Sequence, residues 1–571
     1  MGWSADTIYH GGPIVTMVDD NPSAEALAVK AGRIVAVGDL KTVSRYRRGC
    51  TRVVDLKGHA LLPGFIDAHG HASMVGMQAM SANILPAPDG PGGSVASVLQ
   101  ALREHIRTSP YPDRLNGLVL GFGYDDSLLD EKRHPTRDDL DAVSSEVPIV
   151  LIHQSSHFGA FNSKALAMAG ITADTPDPPG GVIRRRPGSN EPDGVLEEVA
   201  FFDSLGKMFP ANDAQLAVDM LLAGQAMYLR YGYTTIQDGR TSAAQTQVGM
   251  LAAERGLLKA DIVAYPDVLD AGNLSLMAPP WFHDVRVTPS YRNRFRIGGI
   301  KLTLDGSPQG KTAWLTQPYA EPPAGRAPDY AGYGVVDDAV VRAVFTQALR
   351  NHWQFLVHAN GDRAIDQMLA QFALAKEDVP GVDVKPVLIH GQTLREDQVD
   401  RLQTLGIFPS LFPMHTFYWG DWHRTSVLGP ERAENISPTG WLVRRGMPFT
   451  THHDAPVAFP DAMRVVASAV NRSTRSGYVL GAHHRIDRWT ALKTITSWAA
   501  DQHFEGASKG SLAPGKLADL MILSDNPLTV DASKIADIRV LETVKEGRTI
   551  HEARAQIPAR WLTASGAGDV P

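Results

Sequence analysis

The sequence predicts an α/β protein built around a parallel (β/α)8 barrel. Three observations carry that expectation. Through the middle of the chain, short apolar runs alternate with helix-like stretches, the pattern of parallel α/β architectures. Residues able to do chemistry stand where those apolar runs end, and a barrel of this kind gathers its site at the C-terminal ends of its strands. The chain has 571 residues, 43% of them hydrophobic, enough for a large core and for more than one domain.

The first sixty residues read as short strands broken by Gly and Asp turns: "DTIYHGGPIVTM", "EALAVKAGRIVAVG" and "TRVVDLKGHALLPG". The last sixty repeat that style in "GSLAPGKLADLMILS" and "VLETVKEGRTI". Both ends are therefore expected to pair into one β-rich side domain, residues 1–62 with 505–571, around a catalytic domain of 63–504. Strand-like runs in that middle include "HALLPGFIDAH", "VPIVLIH", "YTTIQD", "RIGGIKLTLDG", "WQFLVHANG", "KPVLIHGQ", "GIFPSLFP" and "MPFTTHHDAP". Helix-like partners include "DAVVRAVFTQALRN", "DRAIDQMLAQFALAKE", "REDQVDRLQTLG" and "RWTALKTITSWAADQ". The segment at about 75–210 is too long for one crossover and is rich in Pro, Gly and Ser, so an inserted subdomain is expected there. Within it, Asn162 is placed to cap the helix "SKALAMA".

Composition excludes several classes. The formal net charge is -7, and no basic block points to nucleic acid or to an anionic membrane surface. Arg184, Arg185 and Arg186 form a short run between Pro and Gly, read as a solvated loop. No apolar run reaches the length of a membrane span, and the start of the chain lacks a secretion signal. Cys50 is the single cysteine, so an intramolecular disulfide is impossible and a thiolate metal cluster is excluded. The expected location is the cytoplasm.

Six positions stand at strand-end punctuation: His69 and His71, Lys301, His358, His390 and Asp454. Residues i and i+2 of a strand share a face, so His69 and His71 can aim two imidazoles at one point, as a metal requires. His358 and His390 each follow three apolar residues and would sit at a barrel mouth. Asp454 starts a Pro-containing loop. Taken singly, each of these has an ordinary structural explanation as a satisfied core histidine or a turn aspartate. Lys301 is the odd one, because an amine inside an apolar strand suffers desolvation unless it is paired or modified. It could reach to the barrel mouth. It could also form a carbamate with CO2, becoming a carboxylate-like ligand able to bridge two cations. The ordered set is far more specific than any member.

That order, with "LLPGFIDAHGH", "KLTLDGSPQGKTAWLTQPY", "VHANGDRAID", "IHGQTL", "HHDAPV" and "GSLAPGKLADLMILSDNP", resembles the metal-dependent amidohydrolase superfamily. Within it the chain is most similar to the amidohydrolase-3 (YtcJ-like) family, which includes N-substituted formamide deformylases. "HFGAFNSKALAMAG" and "DGVLEEVA" extend the resemblance into the inserted region. The resemblance implies a (β/α)8 TIM barrel with a β-sandwich from both termini, and one or two divalent ions, zinc foremost. It implies His69 and His71 as ligands of one ion, carboxylated Lys301 as a bridge, His358 and His390 as ligands of the other, and Asp454 as ligand and general base. A homodimer is the usual expectation. In the family a small residue often precedes that aspartate, whereas here His452 and His453 do. One of them, taken as His453, would contact substrate; the other possibility is that it faces the core.

The implied chemistry is hydrolysis of a non-peptide C–N bond, in an amide, formamide or carbamate, by water that the metal acidifies. His157 is the candidate oxyanion donor, and Glu198 a candidate substrate contact. "FPMHTFYWGDWH", read as a loop, and "AWLTQPYAEPP" offer Trp314, Phe417 and Trp419 as pocket walls, which suits a substrate with an apolar or aromatic group. Alternatives are another reaction of the same centre (ester or cyclic-amide hydrolysis, isomerisation, decarboxylation) or a non-catalytic scaffold. Retention of every expected ligand weighs against the scaffold.

Overall fold

A computed structural model describes residues 4–179, 181–209, 213–323 and 325–553. The expected end of the chain, 554–571, lies outside the described residues. Two compact units emerge. One holds residues 4–72, 225–455 and 460–553; the other holds Ser73–Gly224 and Pro456–Phe459.

In the first unit, both chain ends build one mixed sheet. The N-terminal strands Thr7–Val15, Ser23–Lys30, Arg33–Gly38, Arg52–Asp55 and Ala60–Pro63 join the C-terminal strands Leu520–Leu523, Val540–Lys545 and Arg548–Glu552. The seam is antiparallel, with Leu520 opposite Pro63 and Leu523 opposite Ala60. Alternate residues of both ends, including Leu27, Val29, Leu61, Leu520 and Val544, share one buried cluster. The eight strands are continuous through hydrogen bonds, with Thr7–Val15 pairing both Arg52–Asp55 and Ala60–Pro63, and they form the side domain expected from both ends. Ala60–Pro63 pairs on both of its edges and leaves no break.

The same unit carries eight parallel strand positions in sequence order. The first arc runs Phe65–Ile66, Tyr233–Thr241, Asp261–Pro266 and Phe295–Ile297. The second runs Ile300–Thr303, Phe355–Ala359, Val387–His390, Phe408–Leu411 and Thr450–Thr451. Phe295–Ile297 and Ile300–Thr303 are two halves of the fourth position, separated by Gly298 and Gly299. Bonds from His71 N to Ala455 O (2.8 Å) and from Asp454 N to His69 O (3.2 Å) link the last position back to the first. The step from side sheet to barrel falls at Pro63-Gly64. Gly64 N donates to Asp519 O in the side sheet, and Phe65 N donates to Gly232 O in the barrel. A Cβ on Gly64 would lie 2.4 Å from Thr234 Cγ2, so only glycine permits the crossing.

Barrel helices follow the expected stretches: Asp338–Arg350, Asp362–Asp378 and Glu396–Leu405. "RWTALKTITSWAADQ" is divided into Arg488–Lys493 and Ser497–Gln502. "FPMHTFYWGDWH" differs from the sequence reading: Met414–Trp422 is a helix, followed by a π-turn at His423–Val427. Its side chains are buried almost all round, so no polar face marks it as helical in the sequence.

The second unit has its own six-stranded sheet, ordered Gly181–Arg185, Pro192–Glu198, Phe158–Phe161, Ile149–His153, Val119–Tyr124, Ala82–Asn83. "VPIVLIH" therefore belongs here and not to the barrel. Asn162 caps Ser163–Ala169 as expected, accepting from Ala165 N at 2.9 Å, and Gly170 ends that helix in the left-handed region. The arginine run is not a loop. Arg184 and Arg185 lie on the edge strand, where Arg184 pairs with Glu197, and Arg186 pairs with Asp138. Among the described residues, no helix is long and apolar enough to cross a membrane.

Candidate metal centre

Five of the six strand-end residues are brought into one tight group in the first unit. His71 Nε2 lies 3.0 Å and His69 Nε2 3.4 Å from Asp454 Oδ1. Lys301 Nζ is 3.0 Å from His69 Nε2, and His390 Nε2 is 3.9 Å from Asp454 Oδ2. His358 joins through its ring, 4.6 Å from that of His390. Register explains this last pair: Ala359 is opposite His390 and His358 is opposite Ile389, so the two imidazoles stand one rung apart on neighbouring strands.

Hydrogen bonds behind the group decide which nitrogen faces it. Gln237 Nε2 donates to Ala68 O at 2.8 Å, so Gln237 Oε1 is the atom 2.6 Å from His69 Nδ1. His69 must then carry its proton on Nδ1, leaving the Nε2 lone pair aimed at Asp454 and Lys301. His358 Nε2 lies 3.1 Å from Gly306 O, an acceptor only, so its Nδ1 keeps the lone pair. Asp305 sits beneath: it accepts from the N–H groups of Trp314 (2.9 Å), Asn360 (2.9 Å) and Gly361 (2.7 Å), and its Oδ1 is 3.5 Å from His358 Nε2.

Burial sets the charge states. It holds the imidazoles of His69 and His390 well below the usual range, with the nearby Lys301 and His358 as the next causes. Both are thus neutral and able to act as ligands. Burial also pulls the Lys301 amine down to about 7, against the opposing pull of Asp454. Two members have left-handed backbones, His390 at φ 78° and Asp454 at φ 53°. Such conformations cost roughly 1–3 kcal/mol each in a non-glycine residue and collect at functional sites. The glycine of "HGH" is equally constrained, since a Cβ on Gly70 would lie 2.2 Å from Tyr228 Oη and 2.8 Å from Asp67 Oδ2.

The donor set suits a divalent ion. Imidazole nitrogens and a carboxylate converge, and hydrogen bonds orient two of the imidazoles, His69 and His358, from behind. His69, His71 and Asp454 each offer a ligand atom within 4.8 Å of the others.

The remaining candidates are distributed differently. His453, expected at the substrate, is fully buried. Ala455 N donates to its Nδ1 at 2.9 Å, its Nε2 is 3.2 Å from Asp67 Oδ1, and Tyr228 and Tyr233 pack on its ring. Adjacent residues of extended chain point to opposite faces, and just past Thr450–Thr451 His452 turns toward His390 while His453 turns into the core. His157 and Glu198 lie in the second unit and bind each other, Nδ1 to Oε2, at 2.9 Å. Trp314 is half-buried under Arg363, and Phe417 is half-buried beside Arg464 and Arg475. Trp419 is buried against His415, at 4.8 Å between rings, and forms packing behind Phe412.

Asp67, Gln237, Asp305 and His503 escaped the sequence reading. Asp67 accepts from His69 N and Gln237 N, and His503 Nε2 donates to Asp67 O at 2.8 Å. Burial brings His503 down to about 4 from 6.5, so the unfolded chain takes up the proton first. The stability this histidine contributes is complete above pH 6.5 and declines as pH falls toward 4. Between pH 7 and pH 5 the loss is about 2 kcal/mol. Urea melts at the two pH values check it: His503→Gln should flatten the dependence, and an unchanged slope would contradict the assignment.

Comparison with known proteins finds relatives along most of the chain. The amidohydrolase family model matches residues 52–551. The N-substituted formamide deformylase of Arthrobacter pascens is 26% identical over 545 residues, covering 92% of this chain and 95% of that protein. YtcJ of Bacillus subtilis is 26% identical over 556 residues, covering 95% and 99%. An uncharacterized metal-dependent hydrolase from Pyrococcus horikoshii superposes with a TM-score of 0.71 at 22% identity, covering 95% of this chain and all of that one, which shows a shared fold. With its own model spanning most of its length, the chain belongs to the amidohydrolase family.

Proposed function

We propose that the protein is a metal-dependent hydrolase of a non-peptide C–N bond, with N-substituted formamides as the first substrate class to test. The observation that carries the proposal is the convergence of His69, His71, Lys301, His390 and Asp454, with the His69 lone pair turned inward by Gln237. His69, His71 and Asp454 would hold one divalent ion, zinc by ligand type. His358 and His390 would hold a second, with a Lys301 carbamate between them. Such ions acidify water and polarise a carbonyl. The rest falls to this chain's own groups. Asp454, whose Oδ1 lies 3.0 Å from His71 Nε2, would take a proton from water at a carboxylate oxygen and pass it to the leaving nitrogen. His69 and Lys301 are buried, while the side chains of His71 and Asp454 keep some exposure. The likeness to a formamide deformylase supports the substrate class.

The test is a chelation and substrate panel. Metal-free protein is assayed with benzylformamide, formanilides, aryl amides, carbamates and esters, before and after zinc is returned. Activity on formamides should vanish with the metal and return with it. Full activity after complete chelation would refute metal-dependent hydrolysis, and turnover of esters alone would refute the C–N assignment.

A further inference from the structure

We infer that His452 is a positioning residue that fixes the proton of His390 on Nδ1 and so aims its Nε2 lone pair at a divalent ion. The inference rests on the metal reading above and concerns a residue outside its ligand set.

The short strand Thr450–Thr451 pairs with Phe408–Leu411, and His452 N extends the ladder to Leu411 O at 3.0 Å. That rung turns the His452 ring inward, 1% exposed as a residue, between two partners. Its Nε2 is 3.0 Å from His390 Nδ1, and its Nδ1 is 2.9 Å from Ser410 Oγ. The rings of His69 (5.3 Å), His390 (5.1 Å) and Phe412 (5.2 Å) enclose it.

An imidazole between an imidazole and a hydroxyl permits two neutral proton arrangements. In one, Ser410 donates to His452, His452 donates to His390 Nδ1, and His390 Nε2–H faces Asp454. In the other, His390 Nδ1–H donates to His452 Nε2, and His452 Nδ1–H donates to Ser410. Only the second leaves a lone pair on His390 Nε2, the atom 3.9 Å from Asp454 Oδ2. A cation at the centre selects it, and His452 supplies the acceptor that makes it possible without burying an unpaired N–H. A smaller residue would remove that acceptor and leave Ser410 Oγ without this partner.

The experiment compares wild-type, His452→Ala, His452→Gln and Ser410→Ala, each stripped by chelation. Zinc binding is followed by calorimetry and cobalt binding by its visible spectrum, with thermal melts of the metal-free proteins as the folding control. Loss of an outer-shell partner typically weakens metal binding about 10–100-fold, the expected result for His452→Ala. His452→Gln, whose amide oxygen can accept from His390 Nδ1, should recover most of that affinity. Ser410→Ala should weaken binding less than His452→Ala and keeps the test alive if the latter does not fold. Affinities within about twofold of wild-type for both His452→Ala and Ser410→Ala would overturn the inference, as would a folded glutamine variant no better than alanine. A wild-type protein that binds neither ion would overturn the metal reading itself, a distinct outcome.

Discussion

Asp454→Asn should lower turnover roughly a thousandfold or more while leaving the fold in place. General bases contribute ~10²–10⁴-fold on their own, and here the same carboxylate is also a proposed ligand. The substitution is well suited to separate chemistry from folding. Asp454 holds a left-handed backbone at φ 53°, and asparagine is among the few residues that tolerate that region. The amide keeps the carboxylate's shape beside His71 Nε2, now 3.0 Å from Oδ1, but cannot take up the proton. His71→Ala should lose activity similarly with a small stability change, because the His71 side chain is 17% exposed and its loss leaves no deep cavity. The measurements are kcat on the best substrate and a thermal melt. A fully active variant at either position would refute the assigned roles.

Lys301→Met should also abolish activity, with the opposite effect on stability. The amine is 1% exposed, and burial is the main cause of its fall to about 7. Methionine matches its length without burying an amine, so the variant should melt at the wild-type temperature or higher, a trade of stability against function common at active sites. The same lowered basicity leaves a large neutral fraction near pH 7, the form that attacks CO2. Metal-free protein should therefore regain activity with zinc only slowly in CO2-depleted buffer and faster with bicarbonate. Mass spectrometry under native conditions should show a carbamate-sized increment absent from Lys301→Met. Reactivation indifferent to bicarbonate would remove the carbamate from the mechanism and leave Lys301 as a hydrogen-bond donor to His69.

The fold was readable because its signals are local. Apolar runs of strand length, helix periodicity and the Pro63-Gly64 punctuation each depend on near neighbours in the chain. The candidate residues that converge were readable for a related reason. A barrel collects the ends of its strands, so chemistry-bearing residues at "DAHGH", "IKLTL", "LVHAN" and "LIHG" are bound to meet wherever the helices pack. The helix Met414–Trp422 was not readable, because burial on all sides erases the polar face that announces a helix.

Sequence alone thus determined the alternation of strands and helices, the union of both termini and His69, His71, Lys301, His358, His390 and Asp454 as candidates, while it counted "VPIVLIH" among the barrel runs and passed over Asp261–Pro266. Tertiary structure decided how those groups are held. Gln237 and His69 are separated by 168 positions, as are His390 and His452 by 62, and no local pattern links either pair. Two adjacent histidines look equivalent in "THHD", yet just past the short strand Thr450–Thr451 they turn to opposite sides, His452 to His390 and His453 to Asp67. Which nitrogen bears a proton, and which way a lone pair points, follows from such distant contacts, because a hydrogen bond depends on position and direction rather than on nearness in the chain.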